Sequence, residues 1–460
     1  MVTAKHGGRV GAVGAALVLL LGACGAQAEV PDSLKAGAGK SVIALPKDLL
    51  PIEGFGVEHD PLTARVLVLD NGSARLAIAV VDQTSIFEGL VNELRDIIAR
   101  VDSVPAGNVW IVASHTFSAP HVSVPRPEQA ATPEGQALAR KGDAYREAVV
   151  GAVTRAAQAA AQDLRPARVA FGAGVSSVNV NRNMMTADGW WLGADDAGPS
   201  DKSVGVLRVE DAQRKPIAVL VNYAVQSAVM NQSVVKDGLK AVTADLAGAA
   251  VRHVEDQYGD GAVSMFLTGA SGDQSPTYLA QRNVLDKDGH VKTVDLGAAA
   301  YPLVDLLGER LGAEAVRVSQ ALAAGRSAVV LKAVAGSVDL DAQERPQTLA
   351  QIRPSRTYVY KINGKRAAPY FVMQIGDTAL VGVQVELSAL TGQAIKQRSP
   401  FKNTLVVTMV NGAAKYLPDA ASYKRITYPS MNSSYGPGGA EILQGKILET
   451  LAVLHKTTGK

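Results

Sequence analysis

The stretch Met265-Phe-Leu-Thr-Gly-Ala-Ser-Gly-Asp-Gln-Ser-Pro276 joins an apolar run to a glycine-broken polar loop that carries Asp273 and Ser275. The run reads as the end of a buried strand, and enzymes place nucleophiles and ligands at such strand-to-loop exits. Working outward, the same alternation recurs. Residues 66–70 and 76–82 are apolar runs split by Asn71-Gly72, a hairpin signal. Residues 87–101 space their apolar side chains as a helix does, and 109–113 (VWIVA) form a short buried strand. An alanine-rich amphipathic helix is predicted over 145–164, a strand over 216–222, a helix over 241–257 and a strand over 262–267. A long helix follows over 297–324, then two strands around Gly376-Asp377, a strand over 404–410 and a closing helix over 441–454. Strands alternating with helices predict an α/β fold, a single large domain with a mixed β-sheet covered by helices. No internal repeat and no low-complexity linker interrupts it.

The 460 residues are 47% hydrophobic and 19% charged, ample for a large core, and aromatics are only 5%, so small aliphatic side chains must fill it. A net charge of +3 without a long basic run gives no support to nucleic-acid binding. The only cysteine is Cys24. It follows a positive n-region (Lys5, Arg9) and an apolar stretch over 10–21 that is too short for a comfortable membrane span. Leu21-Gly-Ala-Cys24 has the form of a bacterial lipoprotein signal, with Cys24 as the lipidated residue; Ala-Gln-Ala28 offers an ordinary cleavage site instead. Either reading exports the chain and leaves a body without thiol chemistry or disulfides. The expected organisation is a signal peptide over 1–24, a flexible glycine-rich tether over 25–40 and a folded domain over 41–460. Gly25 is not the aspartate associated with inner-membrane retention, so the expected location is the periplasm, the outer membrane or the cell surface, with membrane contact through the N-terminal lipid.

Several residues stand where chemistry is placed. His115 follows the strand VWIVA and is a metal ligand, a base, or a structural histidine bonded to backbone. His121 reads as a surface residue. Asp82 caps a buried strand, and Asp245 stands where a helix N-cap is expected. Ser271 competes with Ser275, Gly269-Ala-Ser-Gly272 lacks the nucleophile-elbow pattern, and spacing alone assigns no Ser-His-Asp triad. Glu386 closes an apolar run; Tyr416 and Tyr428 lie in late loops, where packing with a surface hydroxyl is the plain reading. Arg182, between amide side chains, is an anion or carbonyl clamp or a solvated loop residue.

Taken in order, His59-Asp-Pro-Leu62 with Ala64-Arg65, Ser114-His-Thr-Phe-Ser-Ala-Pro120, Val180-Asn-Arg182, Gly272-Asp-Gln-Ser-Pro276, Ser399-Pro-Phe-Lys402 and the final Tyr416-Leu-Pro418 with Tyr428 resemble the neutral/alkaline (non-lysosomal) ceramidase family. The resemblance runs from residue 53 to residue 454. It implies cleavage of the amide of N-acylsphingosine, with zinc held by two histidines, a glutamate and a tyrosine. His115 matches the first histidine, Glu386 the glutamate and Tyr416 the tyrosine; Tyr428 matches a second active-site tyrosine, Arg182 the substrate-side arginine and Ser275 the proposed nucleophile. This chain also departs from the pattern. Gln226, in Asn222-Tyr-Ala-Val-Gln226, stands where the second zinc histidine belongs, and an amide oxygen is a poorer zinc ligand than imidazole. Phe117 replaces another histidine, Gln384-Val385 replaces a proline-glycine pair, and the family's C-terminal immunoglobulin-like domain has no counterpart within the 460 residues. Zinc binding is therefore expected to be weakened; His121 could swing in as a substitute ligand, though nothing in the sequence requires it. Three readings follow: an amidohydrolase acting on a lipid amide such as ceramide, an inactive lipoprotein that binds an amphiphilic ligand, and an N-acyltransferase working in reverse.

Overall fold

The computed structural model describes residues 33–122, 132–259 and 261–457. The signal peptide and Cys24 lie outside them. The α/β expectation holds, but the strands divide among several sheets instead of one. Three of these sheets share a plan. Each is antiparallel except for one strand pair, and that pair is parallel because a helix crosses over between its strands. In the first sheet Arg75–Val81 pairs in parallel with Val109–Ala113, across the helix Glu88–Val101. The second pairs Pro216–Tyr223 with Val263–Thr268 across Asp245–Tyr258. The third pairs Thr378–Val383 with Asn403–Val407 across Ala389–Arg398. The chain has no sequence repeat, yet this β-helix-β unit occurs three times.

Side-chain alternation shows how the three sheets stack. In a strand successive side chains point to opposite faces. Leu76, Ile78 and Val80 enter a core shared by all three sheets, together with Leu220, Met265, Leu380 and Leu405. Ala77, Ala79 and Val81 face outward into a core closed by Glu88–Val101 and the long helix Pro133–Gln162. The second sheet turns Val219, Val221 and Tyr223 toward Asp245–Tyr258 and Tyr301–Ala321. The third turns Ala379, Val381 and Val383 toward Gly439–Lys456. Strands buried on both faces must be apolar throughout, which is why they stand out as unbroken runs in the sequence.

Two expectations are corrected here. Residues 25–40 are not all tether: Leu34 is fully buried in the central core, and Lys35–Val42 is a strand paired along Thr63–Asp70. The folded body therefore begins by Leu34 and not at residue 41. The small residues that read as flexible allow a close approach. A Cβ at Gly37 would lie 2.1 Å from the Ala160 carbonyl oxygen of the helix Pro133–Gln162. That helix also starts twelve residues before the predicted 145, capped by Thr132, whose side chain accepts a hydrogen bond from Gly135 N–H.

Candidate active site

The parallel strand pairs all point their C-terminal ends to one end of the molecule, and the candidate residues leave from there. His115 follows Val109–Ala113, Gln226 follows Pro216–Tyr223, Ser275 follows Val263–Thr268 and Glu386 follows Thr378–Val383. Hydrogen bonds stitch the three exits together. Thr268 Oγ1 donates to the Ser114 carbonyl at 3.1 Å, Thr408 N–H donates to the Thr268 carbonyl at 2.9 Å, and Phe117 N–H donates to the Ser227 carbonyl at 3.0 Å.

His115 is buried, with a left-handed backbone (φ 63°), a conformation that costs about 1–3 kcal/mol and persists where the surroundings enforce it. Its Nδ1 lies 2.6 Å from the Thr84 carbonyl, which can only accept, so Nδ1 carries a proton and Nε2 is the ring atom turned to the centre. Nε2 makes no aligned hydrogen bond, and Glu386 Oε2 stands 3.2 Å from it. Phe117 covers the imidazole, with ring centres 4.7 Å apart.

Glu386 is brought to Tyr416 by a short parallel pairing, Glu386–Leu387 with Tyr416–Leu417. Its Oε2 also accepts a 2.7 Å hydrogen bond from Gln226 Nε2. Gln226 Oε1 in turn accepts one from Arg182 NH1 at 2.9 Å. The guanidinium is anchored by Nε and NH2 on the Gly272 carbonyl, at 3.2 and 2.7 Å, and lies 5.2 Å from the Tyr416 ring centre. All four side chains are buried. Burial alone would raise the Glu386 carboxyl; His115 and Arg182 beside it hold it below the usual carboxylate range. Burial likewise opposes the charge on Arg182, but Tyr416 and Glu386 reverse this and raise its pKa. Burial raises the Tyr416 hydroxyl well above the ordinary tyrosine value. Tyr428 packs edge-on to Tyr416 (6.0 Å) and to Trp191 (5.6 Å).

Arg182, Gln226 and Ser275 line a cavity of about 230 Å³ together with Leu192, Ala228 and Leu279. A larger cavity of about 540 Å³ lies at the other end of the third sheet, around Gln374 and Thr378, away from these groups. Ser275 Oγ donates only to the Pro276 carbonyl at 3.2 Å; among the described residues no histidine or carboxylate hydrogen-bonds it, so it is not part of a triad. Ser271 is fully buried with its hydroxyl unpartnered.

Other candidates are structural or lie elsewhere. His121 is half-exposed and paired with Glu53 at 2.8 Å, so it does not join His115 as a substitute ligand. Asp82 accepts from Thr63 N–H and Oγ1 at 2.8 and 2.6 Å. Asp245 is not an N-cap but a buried first-turn residue; its carboxylate accepts from Val229 and Met230 N–H at 2.9 and 2.8 Å and so pins the loop that carries Gln226. The sequence singled out neither Thr84 nor Trp191, and Gly272 only as the first residue of the Gly272-Asp-Gln-Ser-Pro276 motif. Of the first two, only Trp191 had a signal: with Trp190 it forms an adjacent tryptophan pair in a chain poor in aromatics.

Among known proteins, a model of the family "neutral/alkaline non-lysosomal ceramidase, N-terminal" matches residues 53–291, just over half of the chain. No curated protein matches. Two solved structures share the fold. A ceramidase complexed with C2 is 18% identical, with a TM-score of 0.69 over 92% of this chain and 76% of its own. The neutral ceramidase from Pseudomonas aeruginosa is 17% identical, with a TM-score of 0.67 over 92% of this chain and 75% of its own. At such identities the structures attest the fold, while the family match rests on the sequence itself; the chain belongs to the neutral/alkaline non-lysosomal ceramidase family.

Proposed function

We propose that this chain is a ceramidase-like amidohydrolase that cleaves the N-acyl amide of a sphingolipid or a similar lipid amide, and that it is exported and anchored to a membrane through lipid on Cys24. Family and fold are those of ceramidase-like hydrolases. The observation that carries the reading is the convergence of three independent strand exits on His115, Gln226 and Glu386, with Arg182 and Ser275 facing the adjoining cavity. At about 230 Å³ that cavity suits an amide and its head group, with the hydrocarbon chains left to pass over the surface. Tyr278, between the lining residues Thr277 and Leu279, is 58% exposed at its rim and offers them an apolar contact. Arg182, Gln226 and Ser275 would hold the amide carbonyl by hydrogen bonds, and a carbonyl so held is polarised toward attack. His115 Nε2 and Glu386 Oε2, 3.2 Å apart, are the pair through which the centre would take up or give a proton.

The family resemblance implies zinc, and the donors here meet it only in part. His115 Nε2 and Glu386 Oε2, 3.2 Å apart, have about the spacing of two ligands on one tetrahedral zinc with bonds of about 2.0–2.1 Å. The other two positions do not fit. Gln226 turns an N–H toward Glu386, and Tyr416 faces a guanidinium. Among the described residues no group of three histidine, cysteine or acidic side chains is placed to hold a metal. The side chains therefore do not form a zinc site of the four-ligand kind, and no step of the proposed reaction is assigned to a metal.

The reading is tested by incubating the purified chain with a fluorescent N-acylsphingosine in mixed micelles. Released fatty acid that scales with protein is expected. Saturable binding without release would replace this reading with that of a binding protein of the same fold, which the closed Arg182–Gln226–Glu386 bridge favours. Neither binding nor release would remove the lipid-amide assignment.

A further inference from the structure

Around Glu386 the hydrogen-bond directions are forced. A guanidinium can only donate and an ionised carboxylate can only accept. Gln226 bridges the two, so its Oε1 must face Arg182 and its N–H must face Glu386. Reversing the amide would set N–H against N–H on one side and oxygen against carboxylate on the other. Gln226 Oε1, the one atom of that side chain able to ligate a cation, is thereby committed to Arg182. Glu386 Oε2, the oxygen nearest His115 Nε2, is already occupied by an amide proton.

Charge acts in the same direction. A buried carboxylate without a counter-charge is costly, and a metal normally supplies that charge. Here Arg182 supplies it, fixed by two bonds to the Gly272 carbonyl and buried beside Tyr416. A guanidinium keeps its proton under all ordinary conditions, so this positive charge is permanent. A divalent ion between His115 and Glu386 would meet a second buried cation within the same network, where charges interact far more strongly than in water.

We infer that Arg182, relayed through the Gln226 carboxamide, stands in for the metal ion at this centre, so that the resting protein holds no zinc there. The inference does not rest on the lipid-amide reading, because it is tested without substrate. Protein purified from zinc-supplemented medium and dialysed against zinc is expected to carry substoichiometric zinc. Its Tm is expected to be the same in zinc and in EDTA. Gln226→His breaks the relay and supplies an imidazole, and its Tm is expected to rise with zinc concentration. Stoichiometric zinc in the wild type that is lost in His115→Ala would overturn the inference. So would a folded Gln226→His protein with no response to zinc, since the exclusion would then not lie with Gln226. Should Gln226→His fail to fold, the wild-type zinc content and paired Tm values decide alone.

Discussion

His115 and Gln226 leave equivalent places, each at the end of a parallel-paired strand, one from the first sheet and one from the second, and both reach the same oxygen of Glu386. They differ in how their polar atoms are satisfied. His115 is held from behind by the Thr84 carbonyl and keeps Nε2 open toward the centre. Gln226 is bonded at both ends of its amide, and its one acceptor atom is turned to Arg182. One half of the centre turns toward Glu386 a ring nitrogen without an aligned hydrogen bond, and the other half is a hydrogen-bonded strut. Replacing one side chain at one strand exit therefore alters the chemistry available while the fold that presents it stays intact.

The sharpest way to break this comparison is to remove the charge on which the strut depends. Arg182→Ala leaves Glu386 buried without its cation and the Gly272 carbonyl and Gln226 Oε1 unpaired. A loss of about 3–5 kcal/mol is expected, read by urea denaturation. His115→Ala should lose less, because it breaks one side-chain hydrogen bond, to the Thr84 carbonyl, and leaves Glu386 with Arg182 as its counter-charge. Equal losses would mean that the two halves bear the same load.

A second contrast involves two buried carboxylates at the same end. Glu386 is held low by neighbouring cations, whereas Asp273 is pushed up to about 6, mainly by burial. Asp273 Oδ1 accepts only from neutral donors, Ala389 N–H at 2.8 Å and Gln274 Nε2 at 3.0 Å. With a folded pKa above the unfolded value of 3.8, folded Asp273 retains its proton between pH 4 and 6 where the unfolded chain has released it. Its contribution to stability is therefore full below about pH 4, falls as the pH rises to about 6 and is level above, by at most about 3 kcal/mol. In Asp273→Asn the downward slope in denaturation midpoints across pH 4–7 should become shallower by Asp273's share, leaving the shares of Asp245 and Asp102, which burial raises to about 6 and about 7. A slope identical to that of the wild type would show that Asp273 is not among the groups that titrate there.

These contrasts mark what the sequence could and could not disclose. Apolar runs buried on both faces stand out, so the strands over 76–82, 109–113, 216–222 and 262–267 were readable. Strands such as Arg168–Val175 and Asn179–Thr186, rich in glycine, alanine and asparagine, carried no such pattern and were missed. Gly37 and Gly39 read as tether in the sequence because a glycine that admits a helix backbone looks, in one dimension, like a flexible one. Gln226 was visible as a departure from the family pattern. Its partners were not, because the bond from Arg182 and the bond to Glu386 span 44 and 160 residues.

The smallest expected change in stability belongs to Ser275, and it separates the strut from the cavity it supports. Ser275 Oγ has one long bond, to the carbonyl of Pro276, and no part in the Arg182–Gln226–Glu386 chain. Ser275→Ala should therefore shift stability by no more than about 0.5 kcal/mol, as substitutions away from critical features do. Its hydroxyl nevertheless shares the cavity with Arg182 and Gln226. If it attacks or steadies the substrate carbonyl, its removal should lower fatty-acid release by about 10²-fold or more at unchanged Tm. A variant with unaltered release would leave Arg182 and Gln226 as the groups that hold the carbonyl, and would move the reacting centre from the serine loop to the His115 side of Glu386.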